Sequence, residues 1–153
     1  MHKFLLALSL LFMTGCATSP VNFYNFSLSS AEEQQVAADL AWLIKEKHGA
    51  AATFEFDYPQ WSRSTSFSTA VEQALRKQGI AVYAREVTED DPVAKSHNQL
   101  YYTLDSLNDG QLYIRVIVNH RFSFQRIWIR DYVDVLRPLA TTSVFEGVAG
   151  ESY

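Results

Sequence analysis

The sequence predicts an α+β fold, with two helices packed on one face of a mainly antiparallel sheet of about four to five strands. A signal peptide and a flexible tether precede it. Three observations predict it. Segments 30–48 and 66–78 repeat apolar residues at helical spacing. Segments 98–107, 111–119 and 121–130 alternate apolar and polar residues with period two. The links between those three strands are short enough only for hairpins. Of 153 residues, 48% are hydrophobic and 14% aromatic, enough for one domain with a sizeable core.

Residues 1–15 come first and stand outside the fold. His2 and Lys3 give a polar, positive start, and Phe4 to Phe12 form an apolar run broken only by Ser9. That run is shorter than the roughly 20 residues of a membrane-spanning helix and suits a secretory signal. It ends in Met13-Thr14-Gly15-Cys16, which resembles the lipobox of bacterial lipoproteins, with Met13 where leucine is usual. The resemblance implies that Cys16 is the mature N-terminus. There it would carry covalent diacylglycerol on its thiol and an N-acyl chain, and no other cofactor is expected. Ala17 stands where an aspartate would imply inner-membrane retention in Gram-negative lipoproteins. The resemblance therefore implies an outer-membrane lipid anchor with the domain facing the periplasm. Cys16 is the only cysteine, so no intramolecular disulfide can form.

Residues 16–29 are expected to be a lipid-anchored tether. Its aromatic cluster, Phe23, Tyr24 and Phe26, is either part of a flexible arm or a docking peptide for a partner's groove. A single periplasmic domain is expected over 30–140, and 141–153 is expected to be a flexible tail.

Within the domain, Ser30 and Glu33 match a capping box that opens the first helix. Val36, Leu40, Leu43 and Ile44 form its apolar stripe. Lys45, Lys47 and His48 suit its last turn, and Gly49 ends it. Ala52 to Tyr58 suits a strand with Phe54 and Phe56 on one face, stopped by Pro59. The second helix starts near Ser66, buries Phe67, Ala70, Val71, Ala74 and Leu75, and closes at Gly79. Residues 80–84 follow as a strand, and 87–98 as a polar, acidic loop.

Side-chain parity fixes the hairpins. A two-residue turn at Asp109-Gly110 would set Leu104 opposite Arg115 and mix the faces. A three-residue loop sets Leu104 opposite Ile114, Tyr102 opposite Val116 and Leu100 opposite Val118, with Gly110 at the left-handed position. A three-residue loop ending at Arg121 likewise sets Val118 opposite Phe122 and Val116 opposite Phe124. One face then carries these residues and Trp128, under the two helices, with Arg126 near its rim. The other carries Tyr101, Thr103, Asp105, Tyr113, Arg115, Ile117, Ser123, Gln125, Ile127 and Ile129. Such a mixed face calls for cover, either by the C-terminal segment or by a partner. Tyr101, Tyr113, Arg115, Ile117 and Ile127 are the candidate partner-binding residues. Val133, Val135 and Leu136 could supply one more strand before Pro138.

No catalytic pattern stands out, and the chain is expected not to be an enzyme. There is no G-x-S-x-G elbow, and His48, His97 and His120 lie far apart without metal-ligand spacing. Glu89, Asp90 and Asp91 lack the spaced ligands and glycine of a calcium loop. Without residues 1–15 the chain holds 12 basic and 17 acidic residues, a balance of −5, and no basic stripe suggests nucleic acid.

The stretches FSTAVEQALRKQGIAVYAREV and LYYTLDSLNDGQLYIRVIVNHRFSFQRIWIR resemble the conjugal transfer protein TrbH family. That resemblance implies a small structural or assembly lipoprotein of a conjugative type IV secretion system, encoded with mating-pair formation genes. Its implied partners are the membrane and other outer-membrane core subunits. The element order also resembles the small ring-forming domains at the periplasmic end of secretins, which would imply a homo-oligomeric ring. Two other readings remain open. A periplasmic ligand-binding or peptidoglycan-associated lipoprotein needs a closed pocket, and a surface-exclusion lipoprotein needs exposure outside the cell.

Overall fold

The computed structural model describes residues 22–56, 62–84, 98–108 and 110–147. Cys16, the leader, Pro59, His97 and the acidic loop through residue 97 lie outside the described residues. In chain order the elements are β1 (Phe23–Asn25), α1 (Ser30–His48), β2 (Thr53–Phe56), α2 (Ser62–Lys77) and β3 (Ala81–Ala84). After them come β4 (Asn98–Asn108), β5 (Gln111–Val118), β6 (Phe122–Arg130) and β7 (Leu136–Glu146).

The expected sheet of four to five mainly antiparallel strands is corrected to a mixed sheet of seven among the described residues, still within an α+β fold. Its order is β3-β2-β4-β5-β6-β7, and β1 pairs with β4 on the same edge as β2. Three pairings are parallel, β1 with β4, β2 with β4 and β2 with β3. The other three form an antiparallel meander from β4 to β7.

Two segments account for the extra strands. Residues 23–25, expected in a flexible tether, are built into the sheet, and three residues are too few to show a period. Residues 136–146 run as one strand through Pro138 and the expected flexible tail, so the tail is corrected up to Glu146. β7 lies at the sheet edge and is exposed along nearly its whole length, which erases the alternation that would betray it. An edge strand also tolerates proline, whose missing donor need not face a neighbour.

The hairpin registers agree with the parity argument. Leu104 faces Ile114, Tyr102 faces Val116 and Leu100 faces Val118. Val118 faces Phe122 and Val116 faces Phe124. The loop length is corrected: Asn108 already pairs with Gln111, so the first hairpin closes on two residues where three were expected. A one-residue shift between Ser106 and Asn108 on β4 restores the register, with Gly110 left-handed at φ 78°. Asn119 and His120 take the left-handed region in the second turn, at φ 54° and 56°.

The sequence Ser29-Ser30-Ala31-Glu32-Glu33 offers two capping boxes one residue apart, and the fold uses Ser29 with Glu32. The Ser29 amide donates to Glu32 Oε2 at 2.8 Å. Glu33 then turns inward, where it accepts from Tyr24 Oη and Ser66 Oγ, both at 3.0 Å. α2 opens at Ser62, one turn before the expected start.

Val36, Leu40 and Ile44 of α1 and Phe67, Val71 and Leu75 of α2 bury themselves against Phe54, Phe56, Leu104, Ile114, Val116, Phe124 and Trp128. The Phe67 ring stands 5.1 Å from that of Tyr102, whose hydroxyl lies 2.6 Å from Ser68 Oγ. Burial pushes the Tyr102 phenol up to about 12, against the opposing pull of that hydrogen bond.

Ion pairs fasten α1 to the far side of the sheet. Arg126 was expected at a rim; instead it pairs with Asp39, at side-chain exposures of 13% and 19%. Arg130 pairs with Glu32, and Lys47 pairs with Glu146 while standing 4.9 Å above the Phe122 ring. Removing one partner of a buried pair strands the other charge, whereas an exposed pair contributes little. Asp39→Ala is therefore expected to destabilise the protein by about 3 kcal/mol in urea unfolding, where a buried charge is stranded. Lys47→Ala, whose ion pair is exposed at 43% and 69%, should cost less than about 1 kcal/mol.

His48 stands edge-on to Phe54 at 5.9 Å and to Phe122 at 5.1 Å, its Nε2 buried with no hydrogen-bond partner among the described residues. Burial, helped by Lys47, holds its pKa below the ordinary 6.5. As pH falls below that value the unfolded chain takes up a proton before the folded one does. Stability is expected to be full above pH 6.5, to fall as pH drops through the folded pKa, and then to level off. His48→Phe should remove that part of the slope in unfolding curves measured across pH.

Candidate functional site

The strand pleat turns alternate residues of β4, β5 and β6 away from the helices. On β5 these are Tyr113, Arg115 and Ile117, all partly exposed. Their neighbours on β4 are Asp105, Thr103 and Tyr101, and on β6 Ile127, Gln125 and Ser123. β1 adds Phe23 beside Thr103, and β7 adds Phe145 beside Ser123. Phe23 is 43% exposed and Phe145 53%.

The structure thus brings Tyr101, Tyr113, Arg115, Ile117, Ile127 and Phe23 together on one face. It takes Tyr24 and Phe26 to the other side. Tyr24 aligns with Leu104, and its ring lies 5.6 Å from that of Phe67. Phe26 packs against the core. The aromatic cluster of the expected tether is therefore divided, with Phe23 on this sheet face and Tyr24 and Phe26, both partly buried, packed against the core on the other. Cys16 lies outside the described residues. Phe145 was missed because its strand was read as a tail. Its one legible signal was the short apolar pair Val144-Phe145. The described part of the C-terminal segment, through residue 147, lengthens the sheet as β7 and does not lie over this face.

Asp105 Oδ1 accepts from Asn25 Nδ2 at 3.0 Å and from the Ser106 amide at 2.8 Å. The Tyr101 ring lies 5.4 Å from the His120 ring. Burial pushes the Tyr113 phenol up, with Arg115 pulling the other way. Two open grooves lie elsewhere. One of about 410 Å³ is lined by Tyr24, Phe26, Ser106 and Arg130, and one of about 420 Å³ by Lys47, His48, Arg121 and Phe122. Arg130 is already held by Glu32 and Asp134. No group of histidine, cysteine and carboxylate side chains among the described residues could hold a metal ion. No described helix is long and apolar enough to cross a membrane.

Desolvation leaves Glu33 dependent on its two donors, Tyr24 and Ser66. Tyr24→Phe removes one of them, and an underserved buried acceptor costs about 1–3 kcal/mol. The variant is expected to exchange amide hydrogens faster along β1 than along β5, as measured by mass spectrometry.

Among curated proteins, none matches the chain. Residues 17–146 match the family model described as Conjugal transfer protein TrbH. The matched span begins just after Cys16 and closes at the last residue of β7, so it takes in β1 and the part of β7 that lie outside the 30–140 segment. With most of its length matched, the chain belongs to the conjugal transfer protein TrbH family.

Proposed function

We propose that this chain is a lipid-anchored structural and assembly component of a conjugative type IV secretion apparatus. It works from the periplasmic face of the outer membrane. The observation that carries this reading is the join between the family match and the lipobox-like tetrapeptide, since the match starts at residue 17 and the cysteine is residue 16. Membership of a conjugal transfer family supports a place in the cell envelope. The acylated thiol supplies the attachment. Each buried methylene contributes about 0.8 kcal/mol, so a multiply acylated cysteine holds almost permanently where one chain would not.

β1 changes what the tether does. Only the six residues between Cys16 and Phe23 can act as a leash, and the seven Cα steps they provide span at most about 25 Å. The domain is then held close to the bilayer, with the mixed sheet face available to other subunits of the apparatus.

Cys16→Ser is expected to move the chain from the membrane fraction to the soluble periplasmic fraction. Plasmid transfer should fall about tenfold or more once the acyl chains no longer hold the protein at the membrane. A variant that fractionates with membranes and transfers plasmid at the wild-type frequency would defeat this reading.

A further inference from the structure

The sheet face turned away from the helices, where Tyr101 and Ser123 are buried but Tyr113, Arg115 and Ile117 are partly exposed, carries at its centre a charge that no described residue pairs. Arg115 lies on β5 between Thr103 and Gln125. Tyr113 and Ile117 flank it along the strand, and Tyr101, Asp105, Ser123 and Ile127 fill the diagonals. Asp105, the one acid among these neighbours, is engaged by Asn25 and the Ser106 amide. Arg115 makes no hydrogen bond or ion pair among the described residues, and its Nε is buried without a partner. Arg76, Arg126, Arg130 and Arg137 each hold a carboxylate. The Nε–H of Arg115 loses hydration among tyrosines and isoleucines with no acceptor in return, while the rest of the partly exposed guanidinium stays open to a ligand; that buried donor is destabilising in the free chain. The cost is recovered when an acceptor arrives from outside.

We infer that this face docks a protein partner that presents a carboxylate to Arg115 within a rim of apolar side chains, an inference that rests on the assembly role proposed for the chain. The size suits it. Five strands about 4.8 Å apart and eight residues long cover roughly 600 Å², near the roughly 800 Å² that each side of a standard interface buries. Arginine and tyrosine at a desolvated centre are the residues that carry binding energy, and a planar guanidinium fixes a carboxylate in two-point register.

Charge argues against the other occupants. A second copy packed face to face about a two-fold axis would set Arg115 against its own mate. An anionic lipid surface would gain only one arginine from this patch, while the chain past residue 15 carries a balance of −5.

The test uses plasmid transfer by cells carrying the full-length chain, with blots for protein level and membrane fractionation. Arg115→Glu is expected to lower transfer about 100-fold while the protein stays folded and in the membrane fraction, since a reversed charge meets the partner's acid. Arg115→Gln, which keeps the shape and loses the charge, should lower it about tenfold. Lys77→Glu, an equal reversal on the outer surface of α2, should leave it unchanged. Selection for restored transfer in the Arg115→Glu strain should return acid-to-basic changes in another transfer subunit. A photoreactive residue at position 117 should crosslink to that same subunit. Wild-type transfer by both Arg115 variants overturns the inference. So does a crosslink that joins two copies of this chain or reaches lipid. Loss of transfer by Arg115→Glu together with an indifferent Cys16→Ser would keep the docking face and remove the anchor, so the two readings fail separately.

Discussion

The register of the β4–β5–β6 meander is the constraint on which the rest depends. A slip of one residue would turn every side chain on a strand to the opposite face. Trp128, Phe124 and Val116 would then meet water, and Arg115 and Tyr113 would meet the helices. Gly110, Asn119 and His120 hold the register by taking the left-handed backbone that their two turns require. The core and the candidate docking face are consequently two products of one alternation. No change to β5 that shifts its pairing can alter one and spare the other.

The helices are fixed to this sheet by different means. α2 relies on aromatic packing, with Phe67 between Tyr24 and Tyr102. α1 adds a row of ion pairs to β6 and β7, from Glu32 near its start to Lys47 near its end. Glu33 joins the two arrangements, because the carboxylate that receives Tyr24 also receives Ser66 of α2. Choosing Ser29 over Ser30 as the cap is what frees Glu33 for that work.

Much of the centre of this fold was legible in the sequence because strands buried on one face declare themselves by period two. Both hairpin registers followed from parity, and with them the positions of Tyr101, Tyr113, Arg115, Ile117 and Ile127 on a shared face. The edges were not legible. β1 is too short to carry a pattern, so its alternation, which parts Phe23 from Tyr24, could not be seen before its pairing with β4 was known. β7 is wet on both sides, and its proline suggested an end. Arg126 was placed on the correct face, but its environment depended on Asp39, 87 residues away. Nothing local announces such a partner. The capping residue was off by one because two serines and two glutamates stand side by side.

The short parallel pairing of β1 with β4 determines how the fold meets mechanical load. A pull on the chain at residue 22 enters at β1, a short strand whose one partner, β4, lies in the middle of the sheet. Force along the strand axis would strain the β1–β4 hydrogen bonds together, in shear, while the Tyr24 hydroxyl braces the strand against α1. The module is thus gripped near its middle, so tension arriving from the leader side is spread through the sheet before any single bond must yield.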